Sequence, residues 1–223
     1  MKPKMNYPSS IDEPGPMDLC STPPYALEPL MSCLKMMGYP DPRIWEPANG
    51  QGILSNALRV AEFDVVTGDI QTGQNFFEVD PGNWDVIVTN PPYGIKPQWL
   101  QRCYELDKPF ALLMPVEFMG TAGAAELFNE HGIEIMMLTP RVNFKMQNAD
   151  WFSSAQFPVA WYCWNILPAS LMFEKIQKPP TDIWRWRITK DGRQIKQWGY
   201  GDWIEHPLSF DWDMLQFVYE EKP

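Results

Sequence analysis

Long apolar runs are missing from this chain. No uninterrupted hydrophobic stretch approaches the ~20 residues of a membrane-spanning helix, and the opening Met1-Lys2-Pro3-Lys4-Met5-Asn6-Tyr7-Pro8 lacks the apolar core of a secretion signal. A cytoplasmic protein with no membrane partner is expected. Clustered metal ligands are missing too: Cys20, Cys33, Cys103 and Cys163 are scattered without the close pairing of a zinc site, and only His131 and His206 could add imidazole. The thiols are expected to be structural, and no metal is expected. Positive charge is also scarce, with 18 Lys and Arg against 28 Asp and Glu, a net charge of -10. That balance argues against a free-standing nucleic-acid binder, because affinity for phosphate comes largely from clustered Lys and Arg. Internal repeats are absent, and low complexity is confined to residues 1–18, a stretch rich in Pro, Ser and charge that reads as a flexible arm.

What is present supports a folded core. A chain of 223 residues with 45% hydrophobic content can bury one sizeable domain and carry an appendage. Strand-like runs alternate with helical spacing: Ile44-Trp45, Asp64 to Thr67, Asp85 to Thr89, Phe110 to Met114 and Ile133 to Leu138 are separated by helical candidates at Ile53 to Glu62, Pro97 to Leu106 and Ala122 to His131. Alternation of that kind predicts an α/β fold, doubly wound around a mostly parallel sheet. An earlier helix is expected over Leu27, Leu30, Met31, Leu34 and Met37, with Ser21 or Thr22 as N-cap and Gly38 as stop signal. Gln156 to Ile166 is a further apolar strand.

Two places carry chemistry. Asn90-Pro91-Pro92-Tyr93 ends the β-branched run Asp85-Val86-Ile87-Val88-Thr89, and two prolines cannot continue a strand. The turn would hold the Asn90 amide and the Pro91 carbonyl as rigid acceptors, with Tyr93 as an aromatic plate beside them, a combination suited to gripping a planar group that bears an N–H₂. Upstream, Glu46-Pro47-Ala48-Asn49-Gly50-Gln51-Gly52 joins a strand to an amphipathic helix through a glycine turn, where backbone can approach a ligand closely. Gly68-Asp69-Ile70 then puts a carboxylate at the tip of a second strand, a common acceptor for ribose hydroxyls in doubly wound sheets.

Together these residues resemble the S-adenosylmethionine-dependent amino-methyltransferases that bear an Asn-Pro-Pro-Tyr motif, chiefly the small adenine-specific DNA enzymes of bacteria and phages. The resemblance covers roughly Ser21 to Pro168. It implies a Rossmann-like class I domain with an antiparallel final strand, in a bacterial cell or a phage-infected host. It also implies cofactor contacts from Thr22 and Pro23, from Glu46, Pro47, Ala48, Asn49, Gly50 and Gly52, from Asp69 and Ile70, from Asn75 and Phe76, and from Asn90. Asn75 stands where that family commonly has Asp. Asn90, Pro91, Pro92 and Tyr93 would be catalytic, and Asn143 and Phe144 of Arg141-Val142-Asn143-Phe144 would join Tyr93 around the target base. The implied reaction is methyl transfer to the N6 amine of adenine in DNA; the cytosine N4 amine, RNA adenine and protein glutamine are alternative targets, and a silent cofactor-binding subunit is a rival of another class.

After Pro168 the composition changes, and residues 169–223 are expected to form a hairpin and an acidic tail. From Lys175 to Trp198 there are seven cations (Lys175, Lys178, Arg185, Arg187, Lys190, Arg193 and Lys196) against Asp182 and Asp191. Asp191-Gly192 predicts a two-residue turn, with Arg187 opposite Lys196, Ile188 opposite Ile195, and Arg185, Arg187 and Lys196 on one side as a nucleic-acid-facing surface.

Overall fold

Beta-branched and aromatic runs become strands in the computed structural model, which describes residues 20–36, 41–146, 152–154, 157–178, 185–188, 194–197 and 203–205. In chain order the elements are β1 (Cys20–Ser21), α1 (Glu28–Met36), β2 (Ile44–Glu46), α2 (Ile53–Val60), β3 (Val65–Thr67), β4 (Val86–Thr89), α3 (Lys96–Leu106), β5 (Phe110–Pro115), α4 (Ala122–His131), β6 (Glu134–Thr139), β7 (Asn143–Met146), β8 (Phe152–Ser154), β9 (Val159–Trp164), β10 (Leu171–Lys175), β11 (Arg185–Ile188), β12 (Gln194–Gln197) and β13 (Trp203–Glu205). The chain divides after Gln177 into two units.

The first unit is built on a seven-stranded sheet of order β10-β6-β9-β5-β4-β2-β3. Every pair is parallel except those made by β9, which runs antiparallel to β5 and β6. Alternate residues along each strand face opposite sides, and here both sides are buried. Ile44, Val86, Val88, Ala111, Leu113 and Trp161 pack with Leu30 and Leu34 of α1 and Leu54 and Leu58 of α2. Their neighbours Trp45, Ile87, Phe110, Leu112, Met114 and Tyr162 pack with Trp99, Leu100, Cys103 and Tyr104 of α3 and Ala124 of α4. This is the doubly wound, Rossmann-like architecture expected from the alternation. Cys33, Cys103 and Cys163 are buried free thiols, as packing residues should be.

That winding fixes where a ligand can sit. From β2 the chain passes through α2 to β3 on one side, whereas from β4 it passes through α3 to β5 on the other, and β2 and β4 are neighbours. Strand order therefore reverses between them. The carboxyl ends of these two strands, at Glu46 and Thr89, flank the crevice that such a reversal opens.

A second, three-stranded antiparallel sheet, β1-β7-β8, ties the start of the described chain to the segment before β9. Tyr25 reinforces the tie: its hydroxyl donates to the Asn143 carbonyl at 3.2 Å and accepts from the Asn143 N–H at 2.9 Å.

Several expectations need correction. Helix α1 is not capped by Ser21 or Thr22; a 3-10 turn, Pro24–Ala26, intervenes behind Pro23, and the Ser21 hydroxyl instead donates to Gln51 Oε1 at 3.2 Å. Gly38 lies outside the described residues. The sheet also runs past Pro168, because β10 pairs in parallel with β6 from Leu171 to Lys175. In the second unit, β11 and β12 pair with Arg187 opposite Ile195 and Trp186 opposite Lys196, one residue away from the expected register. The two-residue turn expected at Asp191-Gly192 lies outside the described residues. The expected opposition of Arg187 and Lys196 does not arise, and with Lys196 paired to Trp186 the register no longer groups Lys196 with Arg185 and Arg187 on one side; β13 adds a third strand to this sheet.

Candidate active site

Backbone conformation makes the first wall. Gly50 and Gly52 have φ of 49° and 75°, a left-handed region that side chains resist, so the glycines let the chain reverse between β2 and α2. The reversal is then laced together. Asn49 N–H donates to the Gly68 carbonyl at 3.0 Å, Gly50 N–H donates to Asp69 Oδ2 at 2.7 Å, and Asn49 Oδ1 accepts from Ser55 Oγ at 2.6 Å. Asp69 does two jobs in this lacing, since its Oδ1 also accepts from Gln71 N–H at 2.8 Å and caps the turn after β3. Both of its oxygens point to backbone donors, and each carboxylate oxygen has a second lone pair to offer a ligand.

Glu46 closes the bottom of the crevice. It is 1% exposed, and its Oε1 accepts from Ala48 N–H at 3.0 Å and from Thr89 Oγ1 at 2.6 Å. Its Oε2 is buried with no partner. Burial pushes the carboxyl up to about 8; the hydrogen bonds from Thr89 and Ala48 oppose that rise, and the neighbouring charge of Asp69 adds to it.

The second wall begins where β4 ends. Pro91 is buried, Pro92 opens a 3-10 turn over Tyr93–Ile95, and the two rings hold the backbone that carries Asn90. Asn90 Oδ1 is also buried with no partner. A buried acceptor without a donor costs free energy, of order 1–3 kcal/mol, and so points to a donor brought by a ligand.

These walls enclose a cavity of about 270 Å³, lined by Ser21, Thr22, the stretch from Glu46 to Gln51, Ile53, Leu54, Asp69, Ile70, Gln71, Gln74, Asn75, Phe76, Phe77, Asn90, Pro92 and Trp99. Among the described residues, that lining includes two acids and no Lys, Arg or His.

No family model matches the chain, and no curated protein matches it. Among solved structures, a proposed RNA methyltransferase from Pyrococcus horikoshii is similar at 16% identity over 68% of this chain and 89% of that one, with a TM-score of 0.48. A proposed class I S-adenosylmethionine-dependent methyltransferase from Listeria monocytogenes is similar at 14% identity over 76% of this chain and 68% of that one, with a TM-score of 0.47. The T. thermophilus 16S rRNA N2 G1207 methyltransferase, solved with S-adenosylmethionine and guanosine, is similar at 14% identity over 77% of this chain and 46% of that one, with a TM-score of 0.36. At this level of likeness their activities say nothing of this chain's chemistry.

The structure brings most of the sequence-predicted residues to one cavity: Thr22, Glu46, Pro47, Ala48, Asn49, Gly50, Asp69, Ile70, Asn75, Phe76, Asn90 and Pro92 all line it. Pro23, Gly52, Pro91 and Tyr93 adjoin lining residues in sequence but are not part of the lining. Asn75 turns its Oδ1 to Phe77 N–H at 3.1 Å, and Phe76 already has one face stacked on Trp99, centroids 4.0 Å apart and planes 9° apart. One expected residue is misplaced. Phe144 is buried in the core beside Val142 and has no free face for a base. The ring that meets Tyr93 is Phe157, edge-on at 6.0 Å and 65°, with the Lys96 ammonium 5.6 Å from the Tyr93 centroid and bonded to the Tyr93 carbonyl.

Ser21, Gln74, Trp99, Lys96 and Phe157 were not foreseen, and Gln51 entered only as part of the glycine turn. Helical spacing marks Trp99 as buried but not as cavity-lining, and Ser21 meets Gln51 across 30 residues with no local pattern to signal it. Arg185, Arg187 and Lys196 belong to the second unit, and only their backbone register is described.

Proposed function

We propose that this chain transfers a methyl group from S-adenosylmethionine to an exocyclic amine, with N6 of adenine in DNA as the target. The observation that carries the reading is the orphaned Asn90 amide oxygen, held by a two-proline turn at the rim of a cavity whose other orphaned oxygen belongs to Glu46. Charge supports the choice of cofactor. A doubly wound crevice often takes a phosphate-bearing nucleotide, but a lining with the acids Glu46 and Asp69 and no cation among its described residues offers phosphate no counter-charge and offers an ammonium two acids to meet. Glu46 Oε2 would hold the ammonium, Asp69 the ribose hydroxyls, and Asn75 and Phe76 the adenine edge. The bound cofactor supplies an electrophilic methyl group.

The rest falls to the chain. An aromatic amine is a weak nucleophile because its lone pair is delocalised into the ring. Accepting its hydrogens at Asn90 Oδ1 and the Pro91 carbonyl favours a pyramidal nitrogen with the lone pair aimed at the methyl group. No prior deprotonation is required: as the N–CH₃ bond would form and the S–CH₃ bond break, leaving a thioether, the amine proton becomes acidic and passes to solvent. Catalysis is then positioning plus dipoles fixed in advance. Tyr93 is the stacking plate for an extruded base, with Phe157 in the role expected of Phe144. In DNA binding, the cations around β11 and β12 would supply what the acidic remainder lacks.

The test is to incubate the protein with labelled S-adenosylmethionine and mixed DNA, RNA and protein, separate the pools, and identify the product by mass spectrometry. N6-methyladenine in the DNA pool is expected. Label in the RNA or protein pool would keep the amine chemistry and replace the target; label in none would favour a silent subunit.

A further inference from the structure

Glu46 is more than a wall of the cavity, and its further role rests on S-adenosylmethionine being the cofactor. Its two oxygens are unequal. Oε1 accepts twice, from Thr89 Oγ1 and Ala48 N–H, while Oε2 lies buried in the same 1% exposed side chain with nothing to accept from. Among the described residues, the surroundings hold no compensating charge. From the turn after β3 comes Asp69, another acid; from β4 comes Thr89, uncharged; and the cation of α2, Arg59, is bonded to Ser55, Asn56 and the Val65 carbonyl. A buried carboxylate without a counter-ion takes up a proton instead. With Oε1 already receiving two donors, that proton belongs on Oε2, the oxygen of the pair with no donor of its own.

With Glu46 as the receptor of the ammonium, as proposed above, we propose that it is protonated in the free protein and that seating the ammonium releases this proton to solvent. The O–H bond at Oε2 breaks, the proton passes to buffer, and the vacated oxygen accepts an N–H of the incoming cation. Capture is thereby selective for ligands that bring their own positive charge. Below about 8, where burial holds the carboxyl neutral, cofactor affinity rises with pH, because binding expels a proton.

Calorimetry at pH 7, repeated in buffers of different ionisation heat, reads the proton count directly. The wild-type chain is expected to release close to one proton per S-adenosylmethionine and none with 5′-methylthioadenosine, which lacks the ammonium. Glu46→Gln keeps the shape, abolishes the release, and weakens S-adenosylmethionine about tenfold or more while leaving 5′-methylthioadenosine nearly unchanged. Thr89→Val, which removes a donor that favours the ionised form, should keep the proton release going to higher pH than in the wild type; this arm serves also if Glu46→Gln does not fold. Binding of S-adenosylmethionine without proton release, or release that persists in Glu46→Gln, overturns the proposal and leaves the cofactor reading standing. Binding of neither ligand overturns both.

Discussion

The two lips of the crevice are held in different ways. The lip after β2 is closed on itself: Gly50 and Asn49 donate to Asp69 and Gly68, Asn49 accepts from Ser55, and the polar groups of the turn are mostly occupied by one another. The lip after β4 is held by the rings of Pro91, which is buried, and Pro92, and it leaves the Asn90 oxygen without a partner. A ligand group that only needs to be held can share acceptors with the backbone, as at Asp69. A reacting group cannot, since an acceptor already engaged would have to reorganise at the moment of reaction. The difference between a laced lip and an open one therefore separates holding from reacting.

Replacing the open acceptor should give the largest effect. Asn90→Ala is expected to lower the rate of transfer by ~10²- to 10³-fold with cofactor affinity within about twofold of wild type, read by single-turnover kinetics and calorimetry. Comparable loss in both quantities would mean that Asn90 holds rather than reacts. On the laced lip the split should invert: Asp69→Asn turns an N–H₂ toward a backbone donor and weakens cofactor binding by roughly 1.5–3 kcal/mol, with the transfer rate at saturating cofactor largely kept. Gly52→Ala forces a side chain to φ 75°, and a loss of about 1–2 kcal/mol in unfolding free energy is expected, measurable by urea titration. Smallest, and least tied to the crevice, is the second unit. Changing Arg185, Arg187 and Lys196 together to Gln should reduce the slope of log affinity against log salt by about 0.9 for each cation that meets a phosphate, with cofactor binding unchanged. An unaltered slope accompanied by lower thermal stability would remove that sheet as a nucleic-acid contact.

Stability of the free protein should also report the closed end of the crevice. The Glu46 carboxyl is raised in the folded state from 4.5 to about 8, so the folded chain binds more protons than the unfolded one between those values. The stabilisation that this proton uptake gives is complete below 4.5 and is lost as pH rises toward about 8. A scan of Tm against pH should fall across this window in the wild type and fall less in Glu46→Gln.

Much of the architecture was legible because buried strands announce themselves: Val86-Ile87-Val88-Thr89 and Phe110 to Pro115 are buried at every position, and only a sheet covered on both faces allows that. Strand β10 escaped because Leu171-Met172-Phe173-Glu174-Lys175 is an edge strand whose exposed positions include Leu171 and Phe173, so its apolar residues do not mark a buried face. The pairing of β11 with β12 was foreseen in another register, because Asp-Gly signals a turn without fixing which residues of the flanking strands pair. At the site, residues adjacent in sequence were foreseen together, from Glu46 to Gly50 and from Asn90 to Pro92. Those that arrive from elsewhere were not: Phe144 was expected where Phe157 stands, since the choice depends on which residues of the segment between β6 and β9 turn inward, and that is set by packing against Tyr93 and the core.

The central claim is that the unoccupied oxygen of Asn90 is a reacting acceptor, and it is tested most directly by measuring methyl transfer and S-adenosylmethionine affinity on one preparation of Asn90→Ala beside the wild type. The account predicts N6-methyladenine formation lowered by ~10²-fold or more at unchanged affinity. Full transfer activity in the variant would contradict it.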